Sequence, residues 1–114
     1  MRDFIKTMKA LSDPNRVKVL KMLEKRCLCV CEIREALGIA QSTVSKHLRV
    51  LEEAGLVDFK KDGPWVNYRI ADPKANPYAA YMLKGLQDWL ETDGEISDLL
   101  NRLPHIHRET ILGV

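Results

Sequence analysis

Cys31-Glu32-Ile33-Arg34-Glu35-Ala36-Leu37-Gly38-Ile39-Ala40-Gln41-Ser42-Thr43-Val44-Ser45-Lys46-His47-Leu48-Arg49-Val50-Leu51 reads as two short helices joined by a tight turn. Ile33 and Leu37 lie one turn apart on the first helix, with Ala36 beside them, and Val44, Leu48 and Leu51 share a face of the second. Gly38 falls between the two patterns, where ending a helix and turning the chain favours a residue tolerant of positive φ. The other face of the second helix carries Gln41, Ser42, Ser45, Lys46 and Arg49, with no carboxylate before Glu52. A recognition helix needs such a face, because amides, hydroxyls and cations must meet base edges and phosphates. An ordinary helical hairpin with a solvated outer side is the plainer reading of the same pattern.

Upstream, Phe4, Ile5, Met8 and Leu11 give an amphipathic helix over residues 1–11. Ser12-Asp13-Pro14 is a break and restart, with Asp13 as N-cap and Pro14 at the first helical position, where its missing N–H costs nothing. The next helix turns Val17, Leu20 and Leu23 inward, widened by Val19 and Met22, and is expected to leave Lys18, Lys21 and Lys25 in solvent. Downstream, residues 56–61 and 65–70 are β-prone runs joined by Lys61-Asp62-Gly63-Pro64, a hairpin directly behind the recognition helix. Such a hairpin is a wing. Lys60, Lys61 and Arg69 are its candidates for phosphate contact, while Phe59, Val66, Tyr68 and Ile70 are expected to pack.

Asn76-Pro77 repeats the cap-and-proline signal and opens a long helix striped by Ala79, Met82, Leu83, Leu86, Trp89 and Leu90. Thr92-Asp93-Gly94 interrupts that helix before Ile96, Leu99, Leu100 and Leu103 extend the stripe. Two amphipathic end helices on a unit with its own core suggest a symmetric dimer, with Phe4, Ile5, Met8, Met82, Leu86 and Trp89 at its interface. Simple intramolecular cover is the alternative. The expected fold is mainly α with one small β-hairpin, ordered α-α-α-α-β-β-α. Residues 1–103 form a single winged helix-turn-helix domain, and 104–114 a frayed C-terminal tail.

The totals fit one soluble domain: 114 residues, 46% apolar and 30% charged. A net charge of +2, or twice +2 in a dimer, rules out a polycation, so nucleic-acid binding must rest on where the cations sit. No apolar run approaches a membrane span, and the first residues lack the apolar core of a signal peptide, which points to the cytoplasm. All three cysteines fall within Cys27-Leu28-Cys29-Val30-Cys31, an odd, clustered set that argues for free thiols over a disulfide scaffold. On a helix Cys27 and Cys31 share a face and Cys29 opposes them; on an extended segment all three point one way. A catalytic reading finds no Cys-x-x-Cys, phosphate-cradling Gly loop or carboxylate pair. A winged helix serving protein interactions alone stays open.

Three segments in order resemble the ArsR/SmtB family of winged-helix metal-sensing repressors. Ala10-Leu11-Ser12-Asp13-Pro14-Asn15-Arg16-Val17 resembles the family's helix start, Cys29-Val30-Cys31-Glu32-Ile33 its metal box, and residues 41–51 its recognition helix. The resemblance implies a homodimer on palindromic double-stranded operator DNA, contacted through Gln41, Ser42, Thr43, Ser45, Lys46, His47 and Arg49. For the lone His47, packing or phosphate contact is as good a reading as base contact. A box with two cysteines is typical of the branch released by trivalent arsenic or antimony, and no organic cofactor is implied. Relatives often carry a third cysteine where this chain has Arg34; Cys27 can replace it from the other side, completing a Cys27, Cys29, Cys31 set. Soft ligands suit thiolates, and Lys25, Arg26 and a helix N-terminus are expected to favour that form. The box is expected to be helical or nearly so without inducer. Cadmium, zinc or thiol oxidation as the signal, zinc at His105, His107 and Glu109, and cysteines that merely pack remain alternatives.

Overall fold

The computed structural model describes residues 1–112. Four helices come first: α1 (Arg2–Ala10), α2 (Pro14–Leu23), α3 (Val30–Leu37) and α4 (Gln41–Glu53). The hairpin β1 (Val57–Asp62) and β2 (Trp65–Ile70) follows, then α5 (Pro77–Leu86), α6 (Gly94–Arg102), a 3-10 turn (Leu103–His105) and α7 (Arg108–Leu112). This is the expected winged helix-turn-helix, with the last helix divided into pieces.

The helix starts follow their chemistry. Asp13 Oδ1 accepts the N–H groups of Asn15 (2.8 Å) and Arg16 (3.2 Å), and Pro14 occupies the first turn. Asn76 caps α5 likewise, and its Nδ2 donates to Thr7 Oγ1 (3.0 Å) and Ala54 O (2.9 Å), tying α1 and the end of α4 to α5. Gly38 closes α3 at φ 67°, its N–H donating to Arg34 O. α2, α3 and α4 meet over Leu20, Met22, Ile33, Val44, Leu48 and Leu51, all essentially without exposure. Each such side chain contributes about 2 kcal/mol of burial. The wing pairs antiparallel from Val57 opposite Ile70 to Asp62 opposite Trp65. Leu28 forms an isolated antiparallel bridge to Tyr68, which seats the segment before α3 against β2.

Three expectations need correction. Lys21 is not in solvent but fully buried. Its Nζ donates to Leu86 O (2.8 Å) and Trp89 O (3.1 Å) and pairs with Glu91 (2.8 Å) and Glu24 (2.9 Å). A helix end leaves carbonyls without partners, and here α2 supplies the missing donor. Nor does the long helix run to Glu91. It stops at Leu86, Leu90 takes φ 64°, and the Trp89 ring folds back over Gly85, where an added Cβ would lie 2.4 Å from a ring carbon. Finally, the segment after 103 is not frayed over its described part. Ile106 is buried, and Arg26 Nη2 donates to Leu103 O (3.3 Å) and to Ile106 O. The last two residues of the expected 104–114 tail lie outside the described residues. No helix among the described residues is long and apolar enough to cross a membrane.

Candidate nucleic-acid interface and thiol site

α4 buries Val44, Leu48 and Leu51 and leaves Gln41, Ser42, Thr43, Ser45, Lys46 and Arg49 exposed on one polar face. His47 departs from that set. It is half-buried against the α1–α2 joint, its Nδ1 3.3 Å from Arg16 Nη1 and its Nε2 4.0 Å from Asp13 Oδ1. Arg16 is itself anchored on Ala10 O (2.8 Å) and Lys9 O (2.9 Å), so His47 ties α4 to the joint between α1 and α2. On the wing, Lys60 and Lys61 are exposed near the tip. Arg69 is exposed too, but its Nε donates to Asp58 Oδ1 at 2.6 Å across the strand pair, which offsets its charge toward a phosphate.

The cysteine segment straddles the start of α3. Leu28 and Cys29 are extended and the rest of the box is helical from Val30, which matches the expected nearly helical state. Cys29 occupies the N-cap with φ −86° and ψ 167°, and Cys31 lies in the first turn. Their sulfurs stand 2.8 Å apart and share a hydrogen bond, both thiols being free. Cys29 and Glu32 form a capping box in which a thiol takes the place usual for serine or threonine. The Glu32 N–H donates to the Cys29 sulfur, and Cys29 N–H donates to Glu32 Oε1 (3.0 Å). Glu32 is buried and its other oxygen accepts from Arg26 Nη1 (3.0 Å). Burial would raise the Glu32 carboxyl, but the bonds from Cys29 and Arg26 outweigh it and hold the group below its ordinary range.

The expected thiolate is therefore not what the site favours. Burial, the hydrogen bond shared with Cys31 and the Glu32 carboxylate push the Cys29 thiol up to about 12, against the pull of the Glu32 N–H. Arg26, expected to favour the thiolate, is committed to Glu32. Cys27 stands apart and exposed, in a cleft with Lys60, Lys61, Asn67 and Arg69, and it also borders Arg26, His107, Arg108 and Glu109. Two thiols are thus brought together and the third is not. Among the described residues no group of three or more His, Cys, Asp or Glu side chains is arranged to hold a metal ion, which covers both the three-cysteine set and His105, His107 and Glu109.

Of the expected interface residues, Phe4, Ile5 and Trp89 are exposed and Met8 and Met82 half-buried, whereas Leu86 turns into the core. Phe4 meets Tyr78 edge-to-face at 5.3 Å, and Tyr81 is 73% exposed, so α1 and α5 present one apolar, aromatic surface. Tyr78 and Tyr81 escape a sequence reading because they lie outside the core stripe. Their spacing of three is the signal that could have found them. Lys21, Glu32 and Arg108 have no local signal, because their partners lie on other elements or depend on the cap geometry.

Comparison with known proteins agrees with this architecture. A family model described as "Bacterial regulatory protein, arsR family" matches residues 13–58. The arsenic resistance transcriptional regulator ArsR1 of Pseudomonas putida is 37% identical over 90 residues, covering 75% of this chain and 70% of its own. The cadmium resistance transcriptional regulatory protein CadC homolog of Staphylococcus aureus is 38% identical over 71 residues, covering 61% and 59%. Among solved structures, the homodimeric winged helix-turn-helix DNA-binding domain Mb0332 of Mycobacterium bovis superposes with a TM-score of 0.63 at 27% identity, covering 82% of this chain and 86% of that one. The chain belongs to the arsR family of bacterial regulatory proteins. It is a winged helix-turn-helix regulator of transcription and not an enzyme.

Proposed function

We propose that the chain is a cytoplasmic homodimeric repressor that grips palindromic operator DNA with α4 and the wing, and releases it when trivalent arsenic or antimony occupies the cysteine box. Cys29 and Cys31 would hold the inducer, with Cys27 as the third ligand after a hinge movement of the extended residues before Val30. One observation carries this reading: the Cys29 sulfur, 2.8 Å from that of Cys31, is also the cap of the helix that leads into α4. A trivalent arsenical supplies bonds to two or three sulfurs. Each thiol proton leaves with a departing hydroxide as water, so a thiol held protonated is no obstacle. Cadmium and zinc bind as thiolate complexes and release protons, so their binding would depend on pH in a way that arsenical binding would not.

The response runs through the chain's own residues. Drawing the Cys29 sulfur away leaves Glu32 N–H without its acceptor and loosens the first turn of α3. α3 and α4 are packed together, so the pose of the recognition helix changes. A coupling of about 1–3 kcal/mol per site is the usual scale, and two sites per dimer give substantial release. The apolar surface of α1 and α5 supplies the dimer contact.

Fluorescence anisotropy of a labelled palindromic operator, titrated with arsenite, tests the proposal. The expected result is release by wild type, none by Cys29→Ser or Cys31→Ser, and weakened release by Cys27→Ser. Operator binding that arsenite leaves intact, but that peroxide abolishes through Cys29, would move the signal to oxidation.

A further inference from the structure

The segment after α6 does more than cover the core. Arg108 lays its guanidinium over the Trp65 ring at 4.5 Å, donates from Nη1 to Asn67 Oδ1 (3.1 Å) and pairs with Asp62 at 3.7 Å. Trp65 and Asn67 alternate along β2 and share a face, and Asp62 faces Trp65 in the last strand pair before the turn. A single cation thus grips the tip of the wing in three ways. It also occupies the carboxylate of Asp62, which lies next in sequence to Lys61 and would otherwise draw the wing lysines away from DNA phosphate. The other end of the segment is held at the thiol box. Arg26 donates to Leu103 O and Ile106 O, and the same guanidinium binds Glu32, whose second oxygen accepts from Cys29 N–H. Only His107 separates Ile106, which is buried, from Arg108.

We propose that Arg108 is a positioning residue for DNA binding, holding the wing through Trp65, Asn67 and Asp62. The segment from Leu103 to Arg108 then links the thiol box to the wing by way of Arg26 and Glu32. The second part rests on the functional reading above. Loss of the Cys29 cap leaves the Glu32 N–H without its acceptor and loosens the turn that carries Glu32. Arg26, bonded to the Glu32 carboxylate, moves with it, and the segment that steadies the wing loses its anchor. Operator release thereby draws on the wing as well as on α4.

The test uses full-length protein labelled with 5-fluorotryptophan, whose two 19F resonances are assigned by a Trp65→Phe sample. Arg108→Ala is expected to shift the Trp65 resonance and to weaken operator binding about tenfold, with thermal unfolding little changed. Arg108→Lys should recover part of the affinity through Asp62 but leave the resonance displaced, since an ammonium lacks the planar stack. Arsenite should move the wild-type Trp65 resonance toward its Arg108→Ala position, leave the Arg108→Ala resonance in place, and have no effect on Cys29→Ser. Wild-type affinity in Arg108→Ala despite a displaced resonance overturns the positioning role. Arsenite that releases DNA while the Trp65 resonance stays fixed overturns the link and leaves the functional reading standing. Arsenite that neither moves the resonance nor releases DNA overturns that reading and the link with it, while the tenfold loss in Arg108→Ala still decides the positioning role.

Discussion

The Cys29 sulfur caps α3 and shares a hydrogen bond with Cys31, and burial together with that shared bond stabilises its protonated form. Its pKa rises from the ordinary 9.0 to about 12, so the folded state binds the thiol proton more tightly than the unfolded chain does. The resulting stability is complete below pH 9 and is lost as pH rises toward 12. Cys29→Ser should remove that alkaline loss and keep the helix start, since serine is a good cap; urea titrations of both proteins at pH 8 and pH 10 check it. Lys21, held above its ordinary value because its carboxylate partners outweigh burial, adds an alkaline loss of its own in both proteins. Asp13 behaves in the opposite sense. Burial would raise its carboxyl, but the N–H groups of Arg16 and Asn15 and the nearby cations hold it low. Its contribution is present at neutral pH and disappears as pH falls through the lowered value. Asp13→Ala should cost about 1 kcal/mol at pH 7 by chemical denaturation, with a smaller difference in strong acid.

Among the elements, the joint between α2 and α5 is where buried charge governs geometry. Lys21 supplies donors to two carbonyls at and beyond the end of α5, and its charge is balanced by Glu24 and Glu91. Lys21→Met fills the space but leaves those carbonyls and a mostly buried Glu24 unpartnered. A loss of about 2–3 kcal/mol is expected in equilibrium unfolding, tempered because Glu91 is half-exposed and can be solvated. Trp89 emission should change in the same variant, as the turn that folds its ring over Gly85 loses its anchor. This joint is also where a sequence reading reaches its limit. The helix-turn-helix and wing are legible because periodicity, caps and turn residues are local signals. A lysine spaced like a surface residue carries no mark of carbonyls 65 and 68 positions further along the chain. The apolar stripe through Leu90 conceals the helix end at Leu86 for the same reason, since an apolar period continues whether or not the backbone does.

At the scale of the whole molecule, a net charge of +2 means that DNA affinity depends on arrangement. Two copies joined through α1 and α5 would present two basic helices and two wings, so operator binding should fall steeply with salt, by a log–log slope of about −0.9 for each phosphate neutralised. Ile5→Glu combined with Tyr81→Glu places like charges on that surface. The expected outcome is a monomer in sedimentation equilibrium that retains its helical spectrum and loses cooperative operator binding. The candidate site was legible unevenly at this scale. The pairing of Cys29 with Cys31 follows from sequence proximity once the helix start is known. The isolation of Cys27 does not, because it depends on Leu28 bridging to Tyr68 in the wing. The turning of His47 toward Arg16 and Asp13 is hidden likewise, since it arises where α4 crosses the joint between α1 and α2.

The thiol cap has a consequence for how such a sensor could be tuned. If one sulfur both starts α3 and receives the inducer, helix and inducer compete for it, and the concentration at which the switch trips is set by how firmly the helix holds. Residues that never touch the inducer then set the detection threshold. A change that strengthens the first turn of α3 makes a deafer sensor with unaltered ligands, and one that weakens Glu32 or Arg26 makes a more responsive but leakier one. Sensitivity could drift widely in descent while all three cysteines stay in place.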